Sequence, residues 1–230
     1  MLRLVLFDID GTLLHSGGAG VKAFARAFAS EFGVSDGVER LKFAGRTDVS
    51  LVREFFTNHK IEASPENFQR FFKSYLSWLE KIIIECEGGA CPGVLEFYQA
   101  LENLPEPPLL GLLTGNIRQG ARIKLQHYKL WDKFPFGAFA DDHEERDHIA
   151  AIARERGGEL AGRSLNGDEI LVIGDTPLDI RCARAIQARA LAVATGSFTV
   201  EELSQHKPDW VVPDLSKISL GEILGKSGSM

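Results

Sequence analysis

A short apolar run, Leu2 to Phe7, ends directly on Asp8-Ile9-Asp10-Gly11-Thr12. An apolar stretch of this length, bounded by Asp and Gly, reads as a strand buried on both faces. Strands of that kind belong to parallel sheets, which need crossover connections, so this opening alone points to an α/β chain. On an extended chain, two carboxylates spaced two residues apart point to the same side. Gly11 and Thr12 behind them suit a turn away from the sheet.

The remaining pattern agrees. Leu109 to Leu113, Phe136 to Ala140, Glu169 to Ile173 and Arg189 to Ala194 read as further strands. Helical patterns lie between them, at Val94 to Leu104, Ile117 to His127, Glu145 to Arg156 and Leu178 to Gln187. Strands alternating with helices predict a doubly wound parallel sheet. One stretch breaks the alternation with helices only, over Val21 to Phe32, Asp48 to His59 and Pro65 to Glu87. In the last of these, Phe68, Phe71, Phe72, Tyr75, Leu76, Leu79 and Ile83 recur at helical spacing, and Pro65 after Ser64 suits a helix start. The pattern predicts a core of residues 1–15 and 89–230 with a small α-helical domain, residues 16–88, inserted after the first strand. Gly17, Gly18 and Gly20 at one end and Gly88 and Gly89 at the other are expected hinges. Residues 225–230 are expected to be disordered.

Composition narrows the function. A net charge of -6 excludes a general binder of nucleic acid or anionic membrane, which would carry basic clusters. It does not exclude an anionic substrate, because a bound cation inverts the local field. The three cysteines, Cys86, Cys91 and Cys182, are too few for a disulfide framework and suggest a reducing compartment. No apolar stretch approaches the roughly 20 residues that span a bilayer, and Asp8 and Asp10 interrupt the first apolar run, so no signal peptide is read. The expectation is a cytoplasmic protein.

A second acidic cluster follows another apolar strand, in Gly174-Asp175-Thr176-Pro177-Leu178-Asp179. Carboxyl ends of parallel strands are where α/β folds place ligands. Four carboxylates at one sheet edge repel one another unless a hard cation such as magnesium neutralises them. One of them can act as a nucleophile toward phosphorus. Thr114-Gly115-Asn116, again after a strand, offers a hydroxyl, a permissive glycine and an amide at a helix opening, which together make an oxyanion cradle.

In this chain order the segments resemble the haloacid dehalogenase superfamily, in its phosphoglycolate phosphatase-like subgroup with a helical cap. Asp8-Ile9-Asp10-Gly11-Thr12 matches the first family motif, Thr114 the second, and Gly174 to Asp179 the fourth. The helical insert lies where the family's cap lies, over a Rossmann-like core. The resemblance implies a magnesium-dependent phosphatase for a small soluble phosphate ester. Asp8 would attack phosphorus and form an aspartyl-phosphate. Asp10 would serve as acid and then base. Magnesium would be held by Asp8, the carbonyl of Asp10, and Asp175. Thr114, the Gly115 amide and a basic residue would hold the remaining oxygens, and Asp179 would orient the metal's waters or the loop.

The departure is the third motif, where the family usually has a lysine. No lysine lies between Lys133 and Asp175, and Arg146 is the best substitute, ahead of Arg122, Arg154 and Arg156. Its competing reading is a solvated arginine in a charged first turn, with His143 and His148 nearby. In the cap, Gly45-Arg46-Thr47-Asp48 would face the site, with Arg46 on the substrate's second anionic group. The bland alternative is an N-cap by Thr47 or Asp48 with Arg46 in solvent. His15 is a further candidate for the cleft. A β-phosphoglucomutase-like phosphomutase, a phosphonate hydrolase using Lys22 or Lys42, and a catalytically silent binding protein are the rival readings. A dehalogenase does without the second aspartate, which is present here.

Overall fold

The computed structural model describes residues 1–225. The tail expected to be disordered lies, from residue 226 onward, outside the described residues. In chain order the elements are β1 (Leu4–Phe7), β2 (Leu14–His15), α1 (Ala19–Phe32), α2 (Asp48–Asn58), α3 (Pro65–Glu85), β3 (Gly89–Ala90), α4 (Val94–Glu102), β4 (Leu109–Leu113), α5 (Arg118–His127), β5 (Phe136–Ala138), α6 (Arg146–Ala161), β6 (Ile170–Gly174), α7 (Pro177–Ala185), β7 (Arg189–Val193), α8 (Val200–Ser204), β8 (Trp210–Val212) and α9 (Leu220–Gly225). Six strands form one parallel sheet in the order β5-β4-β1-β6-β7-β8.

The sheet is covered on both faces, which is why β1 is apolar at every position. Val5 and Phe7 enter one core with α4, α5 and α9, through residues such as Phe97, Leu101, Leu125 and Ile223. Leu4 and Leu6 enter the opposite core with α6, α7 and α8, through Ile149, Ala153, Ile180 and Leu203. The alternation of side chains along a strand divides one apolar run between two cores.

The predicted strands are found with ends shifted by a residue or two. β8 was not anticipated, because three half-buried edge residues leave little pattern. α6 runs on to Ala161, past the stop read at Arg156; Gly157 and Gly158 are buried there, where close packing outweighs their weak helix propensity. The short helices α8 and α9 were also missed.

Helices α1, α2 and α3 enclose a third core. On α3, Phe71, Tyr75, Leu79 and Ile83 recur every four residues and form its buried face. Ser64 accepts the Asn67 amide at 3.4 Å, with Pro65 in the first turn. Phe28 stacks on Phe55 at 3.6 Å between centroids and lies 4.3 Å from Phe71. The chain enters and leaves this helical insert through β2 and β3, which pair antiparallel with Leu14 opposite Ala90.

Candidate active site

Strand register assembles the site. Phe7 lies opposite Leu112 of β4 on one side and Ile173 of β6 on the other. Asp8, Thr114 and Asp175 therefore leave three adjacent strands at the same edge. This is where the chain, having built β4 and β5 to one side of β1, returns to build β6, β7 and β8 on the other. Gly11 takes φ +82°, and a Cβ there would stand 2.5 Å from Asp175 Oδ2. Only glycine lets this loop cross Asp175 so closely. Thr12 Oγ1 then donates to Asp175 Oδ1 at 3.0 Å.

Asp8, Asp175 and Asp179 are buried and bring carboxylate oxygens within 4.8 Å of one another. Arg146, 4% exposed at the first turn of α6, joins them. Its guanidinium approaches Asp8 Oδ1 at 3.5 Å, bonds Asp179, and donates to the Gly45 carbonyl at 3.2 Å. Of its two readings, the structure takes the buried one. Asp179 Oδ2 also accepts the Thr176 amide at 3.0 Å and hydroxyl at 2.7 Å, capping α7. Asp179 thus fixes both the fourth-motif loop and Arg146.

Burial pushes the Asp8 carboxyl up to about 7, against the pull of Arg146. Burial, with Asp179 and Asp8 beside it, holds Asp175 well above the usual carboxylate range. Burial opposes the Arg146 charge, but Asp179 and Asp8 outweigh it and raise its pKa. Three buried carboxylates facing one guanidinium leave a deficit of positive charge. A hard divalent cation such as magnesium fits an all-oxygen donor set of this kind. Asp8 and Asp175 are the carboxylates placed to hold it, since Asp179 has both oxygens engaged.

Asp10 lines the same cavity with partners of its own. Its Oδ2 accepts Lys124 Nζ at 2.6 Å and Asn116 Nδ2 at 2.8 Å. Lys124 Nζ also donates to Asn116 Oδ1 at 2.7 Å, and Asn116 Nδ2 to Thr114 Oγ1 at 2.8 Å. Lys124 thus ties Asp10 to the Thr114-Gly115-Asn116 turn, and sequence reasoning missed it. A signal existed: the buried face of α5 is Gly120, Ala121, Lys124 and Leu125, and a lysine on an apolar stripe needs a partner.

The helical insert docks onto this edge. The Asp48 amide donates to the Gly115 carbonyl at 2.7 Å, and Asp48 Oδ2 accepts the Ile117 amide at 2.8 Å. Thr47 caps α2 by accepting the Ser50 amide and donates its hydroxyl to the Glu144 carbonyl at 2.7 Å. A Cβ on Gly115 would lie 2.2 Å from the Arg46 carbonyl, so glycine permits the contact. Burial pushes the Asp48 carboxyl up to about 7.

Arg46 lines the cavity, but its guanidinium bonds Glu54 and the Ser50 carbonyl, the latter at 3.3 Å. His15 lines the cavity with an exposed side chain. Arg156 pairs with Asp142, Arg154 bonds the Leu165 carbonyl, and Arg122 is exposed, so none of the three reaches the acids. His143 and His148 stack on each other outside the cavity. The resulting cavity of 440 Å³ runs from Asp8 and Asp175 at the sheet edge to Phe24 and Tyr75 in the insert.

Comparison with known proteins identifies the family and matches the fold. Residues 5–193 match the haloacid dehalogenase-like hydrolase family. Phosphoglycolate phosphatase of Synechococcus elongatus is 25% identical over 92% of each chain. A hydrolase from Pseudomonas syringae superposes over 100% of each chain with a TM-score of 0.74 at 22% identity. CbbY from Rhodobacter sphaeroides, solved in complex with phosphate, gives 0.75 over 94% of this chain and 96% of that one, at 18% identity. With the family's acidic strand ends, its fold and its match over most of the sequence all present, the chain belongs to the haloacid dehalogenase-like hydrolases.

Proposed function

We propose that this hydrolase is a magnesium-dependent phosphatase that cleaves small phosphate monoesters through an aspartyl-phosphate on Asp8. One observation carries the reading. Asp8 sits buried at the end of β1, between Asp175 and a buried arginine, on the wall of a cavity that also holds the Asp10 carboxylate. The relative named phosphoglycolate phosphatase supports the same class.

Magnesium, held by Asp8, Asp175 and the Asp10 carbonyl, would supply positive charge between the nucleophile and the phosphoryl oxygens. Asp8 attacks phosphorus, and the bond to the leaving alcohol breaks while Asp10 gives that oxygen a proton. A water then attacks the phosphorus of the aspartyl-phosphate, Asp10 takes the water's proton, and Asp8 is released. Arg146 holds Asp8 in line and balances charge beside it. Thr114 and the Gly115 amide, which line the same cavity, would donate to phosphoryl oxygens. The helical insert acts as a cap, excluding bulk water and polymeric substrates. Neither Lys22, which reaches the Cys86 sulfur at 3.3 Å, nor Lys42 lines the cavity, so imine chemistry by either has no support.

The test is hydrolysis of p-nitrophenyl phosphate by wild type and Asp8→Asn, each with magnesium and with EDTA. Activity that requires both magnesium and Asp8 supports the mechanism. Equal, metal-independent rates in the two proteins would overturn it. Product analysis on a sugar phosphate separates free phosphate from phosphomutase transfer.

A further inference from the structure

The phosphoryl-transfer steps make no use of the far side of the cavity, where three residues meet. Lys124 comes from α5 and is 4% exposed. Its ammonium has three N–H donors, and Asp10 and Asn116 accept two of them. Tyr75 comes from α3 across the cavity, is 1% exposed and lines the same wall. Its hydroxyl has no hydrogen-bond partner among the described residues. Burial holds its pKa well above the ordinary value, so it remains an O–H donor. The third residue is Gly20, near the start of α1. A Cβ at Gly20 would stand 3.4 Å from Lys124 Nζ and 3.9 Å from the Tyr75 hydroxyl oxygen. The two donors thus border the space that a side chain at position 20 would fill.

With no acceptor among the described residues, the Tyr75 hydroxyl opens onto the cavity and is left to bond what enters it. A pocket wall that carries such a hydroxyl beside an ammonium with a donor to spare is built for an acceptor. The acids facing it are Asp10, already bonded by Lys124 and Asn116, and Asp48, which buried as it is carries only part of a charge near neutrality. Phe24, Val21 and Leu51 supply apolar walls around the donors. Arg46, the residue expected to meet a second anionic group, has its guanidinium bonded to Glu54 and Ser50.

We propose that Lys124 and Tyr75, with Gly20 as the gap between them, form a subsite for an anionic oxygen on the leaving-group portion of the substrate. The chain then selects phosphate esters whose alcohol carries a second acidic group, a carboxylate or a further phosphate. This rests on the reading that the phosphoryl group is placed at Asp8.

The experiment is calorimetric binding to the full chain with magnesium, using three phosphonates that cannot be hydrolysed at the ester position: 3-phosphonopropionate, propane-1,3-diphosphonate and propylphosphonate. Wild type is expected to bind at least one of the first two about 10-fold or more tightly than propylphosphonate, as a charge-assisted hydrogen bond requires. Which of the two is preferred identifies the acidic group. Tyr75→Phe and Lys124→Met should each reduce that preference about 10-fold, and Gly20→Val should abolish it. Tyr75→Phe removes one oxygen and carries the test if Lys124→Met fails to fold. Equal binding of all three ligands, binding of none, or an undiminished preference in the variants would overturn the subsite. Hydrolysis of p-nitrophenyl phosphate, which has no second acid, reports on the phosphatase reading separately.

Discussion

Asp48→Asn should make the protein more stable, and increasingly so as pH rises. Asp48 lies at the foot of the helical insert, where its carboxylate oxygen accepts the Ile117 amide of the core. Burial raises its carboxyl from the ordinary 3.8 to about 7, more than Lys124 and the Ile117 amide can offset. Between those values the folded chain keeps the proton that the unfolded chain has lost. Unfolding then releases a proton, and stability falls as pH rises from about 4 to about 7. At 1.36 kcal/mol per pH unit the gap corresponds to about 4 kcal/mol, an upper bound that solvent penetration will reduce. An asparagine has nearly the same shape, can still accept the Ile117 amide, and has no charge to desolvate. Urea unfolding of both proteins near pH 5 and pH 8 is the assay, and the variant-minus-wild-type difference is the quantity read. The same measurement with EDTA and with magnesium controls for Asp8 and Asp175, whose raised carboxyls shape the absolute pH curve of both proteins. The variant should gain on the order of 2 kcal/mol more at the higher pH. A difference that is flat with pH, or a variant less stable at pH 8, would refute the assignment of Asp48 as a charge held against burial.

Arg146→Met leaves Asp8 and Asp179 buried without their counter-charge, and should cost about 3–5 kcal/mol in urea denaturation. Arg146→Lys keeps the charge without the fork that spans Asp8, Asp179 and Gly45, so it should fall between Met and wild type. Gly11→Ala meets both a left-handed backbone and Asp175, and should lower stability by about 1–3 kcal/mol and activity with it, measured by melting and by ester hydrolysis. Phe28→Ala removes the ring at the centre of the insert's core and should cost about 3–5 kcal/mol by denaturation, with any loss of activity recovered in conditions that restore folding.

The acids at the strand ends were legible because each is a local signal, an apolar run followed at once by aspartate. A parallel sheet makes such signals converge, since Asp8, Thr114 and Asp175 share an edge once their strands pair in register. Arg146 has no such local signal, and its solvated alternative does not hold because the α6 terminus lies under the Gly45 loop rather than in water. Lys124 is legible only as a lysine on the buried stripe of α5, because its partner Asp10 lies far away in the sequence and meets it only once α5 packs against the sheet edge. Tyr75 reads in the sequence as one more member of an apolar stripe. Helical spacing says which face is buried, but not that one position of that face opens onto a cavity. Arg46 shows a related gap: the place of its loop at the cavity is legible, whereas the bond its guanidinium makes depends on Glu54, two turns along α2.

The pairing of Leu14 with Ala90 sets the two ends of the insert side by side, at the roughly 5 Å separation of antiparallel neighbours. Seen from the sheet, everything between them is a detour that returns to its starting point. Excising it and joining the two short strands by a tight turn leaves both faces of the sheet covered, because their cores draw on no residue from α1, α2 or α3. The fold is therefore modular in a literal sense. The helical insert hangs from the sheet by one two-stranded ribbon, so its length can change without rethreading the sheet.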